Sequence, residues 1–227
     1  MKKIIRFFDC FAGIGGFYCG ANQIKSDKYE FRHVAYCEID KSAQRFYDVA
    51  CSSDGIQKIQ DVKDIKTKKN PAGTEVVDFD ILFAGFPCQS FSNVGYRKGF
   101  DDPRGQLFFY ILDMLDYYRP KYFVLENVQK IHTIKNGSLL DEMKEVLRDI
   151  GGGYILHTWN LLASDYGLPQ KRNRIFFCGI RKDLSDAKNI SEPPIVDMKT
   201  AKYPTTWHLL EKGAVDPKHY IPQGSRK

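Results

Sequence analysis

The sequence lacks any hydrophobic run long enough to cross a membrane, and its cysteines lack suggestive spacing. The basic start MKKIIRFFDC is interrupted by Arg6 and Asp9 before an apolar region of useful length, which argues against a signal peptide. The six cysteines are scattered, with neither the paired short spacing of zinc sites nor the density of a small disulfide-linked domain. These absences predict a reduced, cytoplasmic protein without a structural metal.

Internal repeats and low-complexity tracts are also missing, and neither sign of charge dominates. The 227 residues carry 34 Lys and Arg against 28 Asp and Glu, a net charge of +6. Such a charge permits a polyanionic partner without requiring one. Because 43% of the residues are hydrophobic, the chain can bury one sizeable core. The composition indicates a globular protein of one domain, or of one domain with an appendage.

Short apolar runs alternate with longer amphipathic segments, which is the pattern of an α/β fold. Six runs rich in β-branched or aromatic residues predict strands: KIIRFFD, FRHVAYCE, FDILFAG, KYFVLEN, YILHTWNLLA and RIFFCGIR. Helices are predicted after GIGGF, EIDKSAQ and DPRGQ, and across SLLDEMKEVLRDI, where apolar residues recur at helical spacing. From about Asp183 onward this order decays, so we expect residues 1–182 to form the main domain and 183–227 a linker-like tail.

The segment FDCFAGIGGF, residues 8–17, lies between the first predicted strand and the first predicted helix. Gly13, Gly15 and Gly16 allow a tight turn and a close approach of a ligand to the helix start, although a purely structural turn has the same pattern. No Gly-Lys-Ser/Thr ending follows, so this is not a phosphate loop. Glu38 ends the next strand, roughly 20 residues later, where an acidic side chain can bind ribose hydroxyls. The two features together favour a nucleoside cofactor.

Three other stretches carry polar residues where predicted strands begin or end. GFPCQSFSNVG, residues 85–95, puts Cys88 at the end of an apolar run, a position that suits a nucleophile but also a packed turn. Glu126 closes a strand at the edge where open α/β sheets bind ligands, or caps a helix there. PQKRNRIFF leads Arg172 and Arg174 into the last strand, on one face by alternation, or along a solvated edge. Asp61 belongs with the predicted nucleoside site: it could reach the base of that cofactor, or it could be solvated.

In their order and separations, FDCFAGIGGF, YCEID, GFPCQSFS, ENV and QKRNRI resemble the cytosine-5 DNA methyltransferase family, from about Ile4 to about Ile180. The resemblance implies a Rossmann-like S-adenosylmethionine-dependent methyltransferase fold, with a mostly parallel sheet flanked by helices. It implies double-stranded DNA as substrate, and Cys88 as the nucleophile that adds to carbon 6 of a flipped cytosine. Glu126 would then contact the ring, while Arg172 and Arg174 would hold the base or a flanking phosphate.

The resemblance also assigns binding residues. Ten positions correspond to the family's S-adenosylmethionine pocket: Phe11, Gly13, Ile14, Gly16, Glu38, Ile39, Asp61, Val62, Pro87 and Leu107. The polar loop after Cys88 resembles the mobile loop that closes over the target base, with DNA contacts expected from Gln89, Ser92 and Arg104. Ile39 is a departure, because the family often has tryptophan there, and we expect weaker stacking on the adenine.

Family members that act alone continue into a target-recognition region and two final motifs, for which we find no counterpart in this sequence. We therefore expect a second protein chain to supply them, with this chain as the catalytic subunit. A truncated or degenerate remnant and a non-catalytic cofactor- and DNA-binding subunit are alternatives. The related transfer RNA methyltransferases usually have Pro-Pro-Cys, whereas Phe86 precedes Pro87 here. A nicotinamide dehydrogenase would leave FPCQSFS and ENV unexplained.

Overall fold

The computed structural model of the chain describes residues 1–51, 54–87, 106–184, 193–195 and 213. Within these ranges, seven strands form one sheet: β1 (Lys3–Cys10), β2 (Tyr29–Cys37), β3 (Gln57–Ile59), β4 (Ile81–Gly85), β5 (Tyr122–Val128), β6 (Tyr154–Leu162) and β7 (Asn173–Arg181). The α-helices of the same ranges are α1 (Gly16–Gln23), α2 (Lys41–Ala50), α3 (Gln106–Tyr118) and α4 (Ser138–Asp149).

The sheet has the strand order β3-β2-β1-β4-β5-β7-β6. The strands β1 to β5 pair in parallel, whereas β7 runs antiparallel to β5. Because parallel strands point the same way, the segments that follow β1, β2, β3, β4 and β5 leave the sheet at one edge. The predicted α/β fold with a mostly parallel sheet is confirmed, and this edge positions the candidate site.

The six predicted strands and the four predicted helices are all present, with ends that differ by one or a few residues. The sequence prediction missed β3, which has only three residues, Gln57–Ile59, and one fully buried side chain among them. So short a run has no recognisable alternation, and its strand geometry comes from pairing with β2.

The core lies on both faces of the sheet because successive strand residues point to opposite sides. Phe7 and Phe8 are both completely buried, and they belong to different apolar clusters. The cluster around Phe8 takes in buried residues of α3 and α4, whereas α1 packs on the other face through Ala21. Each such aromatic side chain contributes about 1.5–3 kcal/mol when fully buried.

The helix α4 packs through Leu139, Leu140, Met143 and Leu147, and it ends where the three glycines of the sequence predicted a stop. Gly151 has a φ of +61°, and a Cβ atom there would lie 2.6 Å from the carbonyl oxygen of Leu115. Only glycine therefore permits this close approach of the chain to α3.

Contacts divide the chain into two compact units, Met1–Asn160 with Arg174–Glu192 and Leu161–Asn173 with Pro193–Lys227. The first unit contains nearly all of the sheet and the helices described above. In the second unit, the amide of Ala163 donates to the carbonyl oxygen of Arg172 at 2.8 Å. The hydroxyl of Tyr166 donates to the carbonyl oxygen of Pro193 at 3.3 Å. The predicted boundary at residue 183 stays a prediction.

Across the described ranges, no helix has the length and apolar character needed to span a bilayer.

Candidate active site

The turn between β1 and α1 has a backbone that favours glycine. Phe11, Gly13 and Gly15 have φ angles of 55°, 54° and 91°, all in the left-handed region. A Cβ atom on Gly15 would lie 2.3 Å from Sγ of Cys51, so steric room also requires glycine there. Within the described part of the chain, no side chain caps the start of α1. The N–H groups of Gly16 and Phe17, the first two residues of this helix, are therefore available to a ligand.

Glu38 follows β2, and its carboxylate accepts a hydrogen bond from this turn. Its Oε2 accepts from the amide of Gly13 at 2.8 Å, and its Oε1 accepts from the amide of Asp40 at 2.8 Å. A carboxylate has about four lone-pair positions, so capacity remains for ligand hydroxyls. The two predicted parts of a nucleoside site, the glycine turn and Glu38, thus lie together in the structure.

Asp61 and Val62 follow β3 at the same edge of the sheet, and Ile14 and Ile39 are sequence neighbours of Gly13 and Glu38. Asp61 follows β3 and is half-buried, and its Oδ1 accepts from the amide of Lys63 at 3.0 Å. Val62 is only 5% exposed and packs in the core, so a ligand contact would involve its backbone. Ile14 and Ile39 are 62% and 64% exposed, which leaves apolar surface uncovered next to Gly13 and Glu38.

A second group of residues lies where β4, β5 and β7 meet. Glu126 of β5 is paired in the sheet with Gly85, the last residue of β4. Its Oε1 lies 2.8 Å from Nε of Arg174, and the two side chains are 17% and 22% exposed. The antiparallel pairing of β7 with β5 puts Arg174 opposite Val128, at the same edge as Glu126. Of the predicted catalytic residues, these two therefore lie in contact.

Asn127 is the middle residue of ENV, and its sequence pattern predicted no role for it. It is 1% exposed, and its Nδ2 donates to the carbonyl oxygen of Phe86 at 3.2 Å. Its Oδ1 accepts from the amide of Val128 at 2.8 Å. The amide side chain thus ties the segment after β4 to β5. Pro87 is the next residue of that segment, exposed at its end, and Cys88 follows it in the chain.

For several predicted site residues, the structure does not test the predicted role. Cys88, Gln89, Ser92 and Arg104 lie outside the described residues. Leu107 is half-buried in α3 and packs against the core. Arg172 is exposed and precedes β7, so it stands before the strand that the sequence analysis expected it to share with Arg174.

Three of the other thiols, those of Cys10, Cys51 and Cys178, are poor nucleophiles. Burial raises the pKa of Cys51 to about 11 and that of Cys178 to about 12. Burial, together with the neighbouring Cys37, also raises the pKa of Cys10. A thiol of this kind stays protonated near neutral pH, whereas nucleophilic attack needs the thiolate. In the described ranges, no group of three or more His, Cys, Asp or Glu residues could hold a metal ion.

Comparison with known proteins identifies the family of these motifs. The family model described as C-5 cytosine-specific DNA methylase matches residues 5–224. The orphan methyltransferase M.Rho11sI of Bacillus phage rho11s is 39% identical over 184 residues, which are 81% of this chain and 34% of that protein. The type II methyltransferase M.HhaI of Haemophilus parahaemolyticus is 36% identical over 201 residues, 86% of this chain and 55% of that protein.

A solved structure agrees with the architecture. The crystal structure of a Spodoptera frugiperda DNMT2 mutant superposes with a TM-score of 0.69 at 21% identity, covering 96% of this chain and 62% of that one. This likeness concerns the fold alone. The chain spans between about a third and just over half of the length of the two curated relatives named above.

S-adenosylmethionine is the methyl donor that these matches imply, and the residues at the carboxyl edge fit it. The carboxylate of Glu38 suits ribose hydroxyls, and the uncovered side chains of Ile14 and Ile39 suit a flat adenine ring. The uncapped start of α1 suits the anionic end of the methionine part.

Proposed function

Because the chain belongs to the C-5 cytosine-specific DNA methylase family, we propose that it transfers a methyl group from S-adenosylmethionine to carbon 5 of cytosine in DNA. One structural observation carries the proposal beyond family membership. The ion pair of Glu126 and Arg174 lies beside the end of β4, from which the chain runs through Pro87 directly to Cys88.

In this mechanism Cys88 is the nucleophile. Carbon 5 of cytosine is a poor nucleophile, so the thiolate adds to carbon 6 and leaves the electron pair of the former double bond on carbon 5. The electron pair on carbon 5 would form the new bond to the methyl group of S-adenosylmethionine, whose carbon–sulfur bond would break to leave S-adenosylhomocysteine. After transfer, a base removes the proton from carbon 5, the electron pair reforms the double bond, and the thiolate of Cys88 leaves.

Glu126 binds the reacting ring in this proposal. Its carboxyl group contacts ring nitrogen 3 and the exocyclic amine, and these contacts stabilise the covalent adduct. Arg174 fixes the carboxyl group through the 2.8 Å contact with its Nε. A guanidinium has further N–H donors in a rigid fork, and these suit the base carbonyl. Arg172 holds the base or a flanking phosphate.

The substrate is double-stranded DNA with the target cytosine flipped out, since the ring is inaccessible inside the duplex. Gln89, Ser92 and Arg104 provide DNA contacts in this proposal. The relatives named above are much longer than the segment they share with this chain. We propose that site recognition comes from further polypeptide, in a second chain that docks with this catalytic subunit.

A covalent-trapping experiment tests the role of Cys88. The proposed second chain is sought as the product of the adjacent reading frame. Mixed with that product and S-adenosylmethionine, the chain should form a stable adduct with duplex DNA that carries 5-fluorocytosine at the target site. Fluorine replaces the proton whose removal releases the enzyme, so the adduct accumulates. Cys88→Ser should abolish the adduct, as measured by denaturing gel electrophoresis.

Cys178→Ser is the matched control, because burial keeps that thiol protonated with a pKa of about 12. It should form as much adduct as the unchanged protein. An undiminished adduct in Cys88→Ser would remove the proposed nucleophile.

A further inference from the structure

A cluster of buried polar side chains lies beneath the glycine turn, and the proposed mechanism does not use it. Asp9, the last but one residue of β1, is completely buried, and its Oδ2 accepts a hydrogen bond from the hydroxyl of Tyr47 at 3.2 Å. Tyr47 comes from α2 and is also completely buried. Nε2 of His33 lies 3.1 Å from the same hydroxyl.

Tyr47 lies directly under the turn that contains the predicted cofactor residues. A Cβ atom on Gly15 would be 3.3 Å from the ring of Tyr47, so the ring packs against that glycine. The ring also stacks on Tyr36, at a centroid distance of 4.3 Å. A shift of Tyr47 would therefore be transmitted to the start of α1.

The hydrogen-bonding roles in the cluster follow from what each partner can do. Nε2 of His33 lies 3.0 Å from the carbonyl oxygen of Ala35, which can only accept. This nitrogen therefore carries the hydrogen, and Tyr47 is left to donate to Asp9. Burial lowers the pKa of His33 to about 4, so the ring is neutral near neutral pH.

Asp9 consequently has no cation to balance a negative charge. Among the described residues, no Lys or Arg acts on its carboxyl group, and its Oδ1 has no hydrogen-bond partner. The groups that act on it are Tyr47, the backbone N–H of Tyr18, the thiols of Cys10 and Cys51, and Glu38, whose charge further disfavours ionisation. An isolated buried carboxylate costs so much free energy that the group takes up a proton instead.

We propose that Asp9 is a positioning residue of the cofactor turn: a neutral carboxyl group that fixes Tyr47 beneath Gly15 and so holds the turn in its binding shape. Burial raises the pKa of Asp9 to about 8, which agrees with a neutral group near pH 7. This inference rests on the cofactor side of the proposed function, and its test needs no methyl transfer.

The protonation state is tested by the stability of Asp9→Asn, which replaces the carboxyl group with a neutral group of the same shape. With a folded pKa near 8 and an unfolded value near 4, the unfolded state gives up its proton first. The folded protein is thus most favoured at low pH and loses stability as the pH rises toward 8. Asp9→Asn does not titrate, so its melting temperature should increasingly exceed that of the unchanged protein between pH 5 and pH 8. A difference in melting temperature that stays constant or decreases over this pH range would contradict a neutral carboxyl group at Asp9.

The positioning role is tested by S-adenosylmethionine affinity in calorimetry. Asp9→Ala and Tyr47→Phe each remove the bond between the two side chains, and each should weaken binding about tenfold. Asp9→Asn keeps an acceptor for Tyr47 and should bind within about twofold of the unchanged protein. If Asp9→Ala does not fold, Tyr47→Phe decides.

Tyr154→Phe is the matched control, because its buried hydroxyl donates to the carbonyl oxygen of Pro120, in contacts unrelated to the turn. It should lower the melting temperature without changing the cofactor affinity. Equal losses of affinity in Tyr154→Phe and Tyr47→Phe, or unchanged affinity in Tyr47→Phe, would overturn the positioning role.

Discussion

At the scale of single residues, the candidate site separates into a cofactor part and a chemical part. Glu38 accepts hydrogen bonds from the amides of Gly13 and Asp40 after β1 and β2, whereas Glu126 pairs with Arg174 across β5 and β7. Both are carboxylates at the same edge of the sheet. Their different partners predict that the two residues affect different steps.

Replacing Glu38 should impair cofactor binding, and replacing Glu126 should impair the chemistry. Glu38→Ala leaves ligand hydroxyls unpaired and should weaken S-adenosylmethionine binding by about 1–3 kcal/mol in calorimetry. Glu126→Gln should leave that affinity unchanged but slow methyl transfer by about a hundredfold or more, because the charged contact that stabilises the adduct is lost. The reverse pattern would mean that the two roles have been exchanged.

The sequence predicted the residues of the site better than their contacts. The glycine turn and Glu38 were predicted to serve one ligand because an acidic residue that ends the next strand, roughly 20 residues after such a turn, can bind ribose hydroxyls. The contact between Glu126 and Arg174 depends on the antiparallel register of β7 against β5, which local pattern does not encode. Asn127 was missed for the same reason, since its partner, the carbonyl oxygen of Phe86, belongs to another strand's loop.

At the scale of secondary structure, strands with strong apolar patterns were predicted and β3 was not. The pattern is strong where a strand is buried on both faces, as in β4, whose first four residues are all buried. The weakly buried β3 lies at the edge of the sheet and depends on its neighbour. Tertiary pairing, rather than local propensity, decides such a segment.

Hydrogen bonds and ion pairs also link β1, β4 and β5 at the end of the sheet opposite the candidate site. Asp80, just before β4, is 4% exposed and accepts from the backbone amide and Nε of Arg6 in β1, at 2.9 and 3.0 Å. It also accepts from Nζ of Lys121, just before β5, at 2.7 Å. Although burial alone would raise the pKa of Asp80, the hydrogen bonds from Arg6 and Lys121 lower it below its ordinary value.

Asp80→Ala should therefore lower the free energy of unfolding by about 1–3 kcal/mol, because Arg6 and Lys121 lose a buried acceptor while both cations remain partly exposed to water. The sign with pH follows from the lowered pKa: the stabilisation is present above the unfolded pKa near 4 and is lost as the pH falls below it. Urea unfolding of both proteins at pH 7 and pH 3 measures this. If the difference in free energy of unfolding between the two proteins does not decrease at pH 3, an ionised Asp80 paired with Arg6 and Lys121 is contradicted.

At the scale of the whole molecule, charge and length bear on the substrate. The net charge of +6 is compatible with a polyanion such as DNA. The matched segment makes up 55% of M.HhaI and 34% of M.Rho11sI. Reading base edges in the major groove needs a surface dedicated to it, which we assign to the proposed second chain. The chain should thus bind S-adenosylmethionine by itself yet methylate DNA poorly until that chain is added.

The most direct measurement is the identity of the methylated nucleoside. The chain is incubated with labelled S-adenosylmethionine and duplex DNA, with and without the product of the adjacent reading frame, and the DNA is digested and analysed by mass spectrometry. The account predicts label in 5-methyldeoxycytidine, dependent on Cys88 and strongly increased by the second chain. Label on adenine or on the exocyclic amine of cytosine, or label in 5-methyldeoxycytidine that survives Cys88→Ser, would contradict it.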